Sequence, residues 1–186
     1  MKKAEELVAI CRELLADAEL VSGESIDDLS ELIIKSNRIF IAGAGRSGFA
    51  ARAFANRLMH LGLTVFFVGE TTTPSIQNND LLIIGSGSGE TGSLVTMAGK
   101  AVKQNANVAT ITIYPQATIG TLSKVTVKLP GMTNKSDIDS GKVSIQPMGS
   151  SFEQLSLLVY DSIIMILMKK LNKTGDEMFK NHANLE

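Results

Sequence analysis

Five short apolar runs punctuate this chain: RIFIA (Arg38 to Ala42), LTVFFV (Leu63 to Val68), DLLIIG (Asp80 to Gly85), NVATITI (Asn107 to Ile113) and KVTVK (Lys124 to Lys128). Each is flanked by Gly, Asn or Pro, and stretches with helical periodicity separate most of them. Strands that alternate with helices, and that are apolar along their whole length, form parallel sheets covered on both faces. The class is therefore α/β. Helices are expected over Ala4 to Val21, Ile26 to Ser36, Gly48 to Leu61, Thr91 to Asn105, Thr118 to Leu122 and Ser150 to Leu171. A length of 186 residues accommodates one domain spanning 1–186, but not a nucleotide domain plus a separate substrate domain.

Two of the strands end in glycine-rich loops. The first reads GAGRSG, with Gly43, Gly45 and Gly48 spaced as G-x-G-x-x-G between strand and helix. That is the setting of a dinucleotide fingerprint, and Glu70 follows the next strand at about the distance of a ribose-binding acid. The second, IGSGSGET, places Ser86, Ser88 and Thr91 among Gly85, Gly87 and Gly89. Phosphate recognition needs converging backbone N–H groups, a helix N-terminus behind them and hydroxyl donors, and this loop offers all three. A phosphate monoester fits better than a pyrophosphate, because both loops then line one crevice at the carboxyl ends of neighbouring strands. The plainer reading, a strand-to-helix turn with a Ser or Thr cap, stays open. Neither loop carries the Gly-Lys-Ser/Thr of a P-loop, so nucleoside triphosphate hydrolysis is unsupported.

Composition narrows the remaining classes. There are 18 basic and 19 acidic residues and a net charge of -1, so nothing attracts nucleic acid or a membrane in general. A single cysteine and two histidines exclude an intrachain disulfide and leave too few ligands for a zinc site, and no metal or cofactor is expected. The N-terminal MKKAEELVAICRELL reads as an amphipathic helix and not a signal peptide, which suggests the cytoplasm. The segment LSLLVYDSIIMILM (Leu155 to Met168) is apolar nearly all round. A helix of that kind must be covered on every side, so a partner subunit is expected beyond the sheet. The polar stretch from Gly131 to Gln146 is long for a connection and is expected to be functional or mobile.

Candidate chemistry lies in QPMGSSFEQ (Gln146 to Gln154). Glu153 has two readings. Ser150-Ser151-Phe152-Glu153 fits a capping box, in which the carboxylate closes the helix start; alternatively, Glu153 is a base that abstracts a proton next to a carbonyl. His60, at a helix end before Gly62, has the position of a stop signal; His182 lies in a tail with its own apolar pattern. Arg46, inside the first loop, is either a phosphate or carboxylate partner or a solvated charge.

Taken in order, GAGRSG, RLMHLG, IGSGSGET, QPMGSSFEQ and the ending HANLE cover nearly the whole chain. In these features the sequence resembles the SIS (sugar isomerase) domain family, and most closely its hexuloisomerase branch. The resemblance implies a flavodoxin-like three-layer sandwich with a five-stranded parallel sheet, a homotetramer, and interconversion of D-arabino-3-hexulose 6-phosphate and fructose 6-phosphate in formaldehyde assimilation by the ribulose monophosphate pathway. It further implies that Ser86, Gly87, Ser88 and Thr91 bind the sugar phosphate, that Gly45 and Ser47 line the same pocket, with Arg46 between them as a candidate phosphate partner, that Glu153 is the base, and that His60 or His182 is the acid, the latter in reach of a neighbour's site. Three rivals stay open: another phosphosugar aldose-ketose isomerase, a sugar-phosphate sensor without catalysis, and a small NAD-binding protein.

Overall fold

The computed structural model describes residues 3–133, 141 and 143–185. Its element order is α1 (Glu5–Ala18), α2 (Gly23–Lys35), β1 (Ile39–Gly43), α3 (Gly45–His60), β2 (Val65–Phe67), β3 (Leu81–Gly85), α4 (Gly92–Lys103), β4 (Asn107–Thr112), α5 (Thr118–Leu122), β5 (Val125–Lys128), α6 (Ser150–Lys170) and α7 (Gly175–Phe179). The five strands form one sheet in the order β2-β1-β3-β4-β5, and every pairing is parallel. This is the doubly wound arrangement expected from the apolar runs.

Alternation along the strands assigns the layers. Ile39 and Ile41 of β1, with Leu81 and Ile83 of β3, pack into a core with α2, α3 and α6. Their neighbours Phe40, Ala42, Leu82 and Ile84 face the opposite way, into a second core with α4 and α5. Side chains one apart on a strand point to opposite faces, so a strand buried on both sides must be apolar throughout. At the near end of the sheet the Arg38 guanidinium donates to both carboxylate oxygens of the buried Asp80, at 3.1 and 2.6 Å, and ties β1 to β3.

Helix α6 runs across the first core, with Phe152, Leu155, Val159, Tyr160, Ile163 and Leu167 buried. It is long and apolar enough to cross a membrane by composition alone, but half of it is buried within the fold. Leu157, Leu158 and Met165 on its other side are exposed, as is Phe49 of α3. That exposed apolar face is what the all-round pattern of the sequence anticipated.

Three expectations are corrected. Helix α3 begins at Gly45 rather than Gly48, because Gly45, at φ +58°, turns the chain directly from the strand into the helix. The capping box at Ser150 does not form: α6 starts at Ser150 itself, its N-cap is Gly149, and Glu153 therefore sits one position too late to close the helix start. A capping box does occur at Thr174, whose side chain accepts from the Glu177 N–H while Glu177 caps Thr174 in return, opening the unanticipated α7. Of the long polar stretch, residues 134–140 and 142 lie outside the described residues.

Candidate active site

In doubly wound sheets the ligand crevice lies beyond the carboxyl ends of the strands where the chain switches direction. Here that point is between β1 and β3, since the chain leaves β1 to one side for β2 and to the other for β3. A pocket of about 280 Å³ opens there, lined by Ala44 to Ser47, Gly85 to Ser88, Thr91, Leu94, Met132, Thr133, Met148, Gly149, Phe152 and Glu153. Both glycine-rich loops thus reach one cavity.

The close approach of the first loop to the sheet depends on two glycines. A Cβ on Gly48 would sit 2.7 Å from the carbonyl oxygen of Gly43, and one on Gly43 would sit 2.9 Å from Cα of Gly48. Strand and helix meet backbone to backbone, which brings the start of α3 to the rim of the pocket. In the second loop, the Ser86 hydroxyl accepts from the Gly89 N–H at 3.2 Å and the Ser88 hydroxyl from the Glu90 N–H at 3.3 Å. These contacts are the plain turn chemistry, but each hydroxyl keeps its own proton to donate. Thr91 is the N-cap of α4 and its side chain makes no capping bond. A helix N-terminus, loop N–H groups and three hydroxyls therefore converge on one wall, the arrangement that holds a phosphate.

The opposite wall carries the ionisable groups. Glu153, in the first turn of α6, forms an ion pair with Arg46, in the first turn of α3, across a sequence separation of 107. The Arg46 guanidinium is largely exposed and the Glu153 carboxylate mostly covered. Sequence reasoning named both residues but not the pairing, and no local pattern signals it. It also missed Met132, Thr133 and Met148, which only the return of the chain to the sheet brings to the cavity. Glu70, the acid of the dinucleotide reading, is instead paired with Arg52 at 2.7 Å. Among the described residues, no three His, Cys, Asp or Glu side chains gather as metal ligands would.

The two histidines lie elsewhere. His60 ends α3, roughly 22 Å along the axis from Gly45 at 1.5 Å per residue. His182 stacks on it with ring centroids 5.3 Å apart, and Asn181 donates to the His60 carbonyl at 2.9 Å. With Arg57, Asp161, Met165 and Phe179 they line a second depression of about 330 Å³. Within one chain neither histidine reaches the glycine-loop pocket.

Burial, and then the charges of Arg57 and His182, push the His60 pKa below its usual 6.5. The folded state thus favours neutral His60, so the stability this gives is complete above pH 6.5 and is lost as pH falls below that value. Thermal unfolding midpoints followed downward from pH 7.5 should fall below pH 6.5, and fall less in His60→Gln; equal slopes would remove His60 as the cause.

The model of the SIS domain matches residues 32–159, more than half of the chain. The chain belongs to the SIS domain family. Among curated SIS relatives, the 3-hexulose-6-phosphate isomerase of Bacillus subtilis is 46% identical over 186 residues, covering 100% of both chains. That of Methanocaldococcus jannaschii is 39% identical over 189 residues, covering 100% of this chain and 99% of its own. A solved SIS structure from Methanococcus jannaschii, for which a function of 3-hexulose-6-phosphate isomerase was inferred, superposes with a TM-score of 0.83 at 39% identity, covering 98% of this chain and 99% of that one.

Proposed function

We propose that this SIS protein is a 3-hexulose-6-phosphate isomerase, acting on a phosphorylated sugar in the pocket between β1 and β3. The observation that carries the reading is the division of the pocket: phosphate-binding chemistry on one wall, and a carboxylate paired with a cation on the other. In the site we assign, Ser86, Gly87, Ser88 and Thr91 hold the 6-phosphate, with Gly45 and Ser47 at the rim. Binding energy from that remote group then holds the reacting carbons against Glu153.

The 3-ketose and the 2-ketose differ by one proton on carbon and one on oxygen. Glu153 takes the proton from C2 while O3 gains one, giving the 2,3-enediol; O2 then loses its proton and C3 receives the one held by Glu153. Charge develops on the enediolate oxygens, and Arg46 stands beside the base with fixed N–H donors. We assign Arg46 to the sugar end of the site, in preference to the phosphate.

The acid at oxygen is a histidine supplied by a second copy of the chain. The exposed face of Phe49, Leu157, Leu158 and Met165 supports an oligomer, and the family resemblance points to a tetramer. Mixing inactive Glu153→Gln subunits with inactive His182→Ala subunits should then restore part of the activity, because some sites would be assembled from two intact halves. No recovery on mixing, with exchange of subunits demonstrated, would confine the site to one chain.

The function is tested by a coupled assay. Hexulose phosphate is generated from formaldehyde and ribulose 5-phosphate by a separate synthase, and fructose 6-phosphate is followed with and without this protein. Protein-dependent formation is the expected result. No formation, with fructose 6-phosphate still bound in a titration, would replace the isomerase with a sensor.

A further inference from the structure

Helix α1 lies in the layer of α6 and contributes no residue to the pocket lining, yet one of its carboxylates reaches the segment that leads into the site. Oε1 of Glu13 accepts from the Ile145 backbone N–H at 3.2 Å, and Oε2 accepts from the Gln146 side-chain amide at 2.9 Å. A charged acceptor bound at both oxygens fixes position and direction together. Gln146 is itself buried, and its backbone N–H donates to the Ser144 hydroxyl at 3.0 Å.

Three residues, Pro147 to Gly149, separate this grip from the start of α6. Pro147 fixes its own φ and accepts at its carbonyl from the Ser150 N–H at 3.2 Å. Met148 adopts a left-handed backbone, φ +55°, which an unbranched side chain without a local polar contact does not choose freely. Gly149 is the N-cap, and its carbonyl accepts from the Glu153 N–H at 3.0 Å. Met148, Gly149 and Glu153 all line the pocket. A turn carrying an unfavourable backbone state persists only where its surroundings determine it from both ends. Burial of α6 anchors one end, and Glu13 anchors the other.

We propose that Glu13 is a positioning residue of the active site: by holding Gln146, it sets the turn that places Met148 and the Glu153 carboxylate. The proposal rests on the isomerase reading for its kinetic consequences and on the geometry alone for its structural ones. The phosphate wall is built on β3 and α4, outside the reach of Glu13, so turnover should suffer more than substrate binding.

The experiment compares wild type with Glu13→Ala, Gln146→Glu and the reciprocal pair Glu13→Gln with Gln146→Glu, and with Arg12→Ala as a control on the exposed side of α1. Glu13→Ala should lower kcat about tenfold or more with KM changed less than about threefold, since small displacements of a reacting group cost rate before affinity. Gln146→Glu alone sets two carboxylates together and should lose activity as well. The reciprocal pair restores the side-chain hydrogen bond with donor and acceptor exchanged and should recover most of kcat. Amide hydrogen exchange over Met148 to Glu153 should rise in Glu13→Ala and return in the pair. Wild-type kcat and exchange in Glu13→Ala, an equal loss in Arg12→Ala, or a pair no better than Gln146→Glu alone would each overturn the proposal. Failure of the isomerase reading shows differently: the wild type itself would not turn over, while the exchange measurement would still report on Glu13.

Discussion

Glu153→Gln is expected to lower kcat by about two to four orders of magnitude, the usual contribution of a positioned acid–base group, while fructose 6-phosphate binds within about threefold of wild type. The substitution keeps size and shape and removes the ability to hold a proton at neutral pH. The phosphate wall on the far side of the pocket is untouched, which is why affinity should survive. Stability should survive too. Glu153 does not cap α6, whose N-cap is Gly149, and its ion pair is with an Arg46 that is 64% exposed, where solvent screening leaves little contribution to stability. A variant that turns over normally would remove Glu153 as the base. One that fails only because it unfolds would return the residue to a structural role.

The second large effect is expected at Gly48→Ala, far in chemistry from the base but tied to the same pocket. The added methyl would lie 2.7 Å from the Gly43 carbonyl oxygen and 2.9 Å from its carbon. Both are backbone atoms of β1, an interior strand of the sheet, so neither can swing aside, and α3 must lift from β1. Overpacking of this kind costs about 3 kcal/mol, which for a chain of this size lowers the unfolding midpoint by roughly 10 °C. Lifting α3 also moves Gly45, Arg46 and Ser47, so phosphosugar affinity should fall in whatever protein remains folded. Gly99→Ala provides the contrast. Its new Cβ would meet nothing within 4 Å inside helix α4, and it should stabilise the protein by about 1 kcal/mol through helix propensity. An unchanged midpoint in Gly48→Ala would show that the strand and helix are not locked at this contact.

Much of the architecture is legible in the sequence. The five-residue strands β1 and β3, bounded by Asn and ending in Gly, identify themselves, because burial on both faces makes them apolar throughout. The apolar α6 likewise announced that something beyond the sheet should cover it. Boundaries were less legible. The start of α3 expected from the sequence lies three residues late, since a G-x-G-x-x-G string does not reveal which glycine turns the chain. The short α7 was missed although Thr174 and Glu177 spell a capping box, whereas the box spelled by Ser150 and Glu153 is not used. One motif, two outcomes: the local pattern permits the cap, and the residue at which the helix starts, Ser150 in α6, decides whether it forms.

What the sequence determined by itself is the set of parts: the sheet, the two glycine loops, the hydroxyl cluster at Ser86, Ser88 and Thr91, and a glutamate at the mouth of an apolar helix. Periodicity and local backbone chemistry suffice for these, because each lies within a few residues of its own cause. The tertiary structure alone decided their relations. It joined Arg46 to Glu153, set Met132, Thr133 and Met148 around the cavity, kept His60 and His182 at the far end of α3, and brought Glu13 across to Gln146. Contacts between residues more than a hundred positions apart follow from how the layers close on the sheet, and no local pattern records that closure.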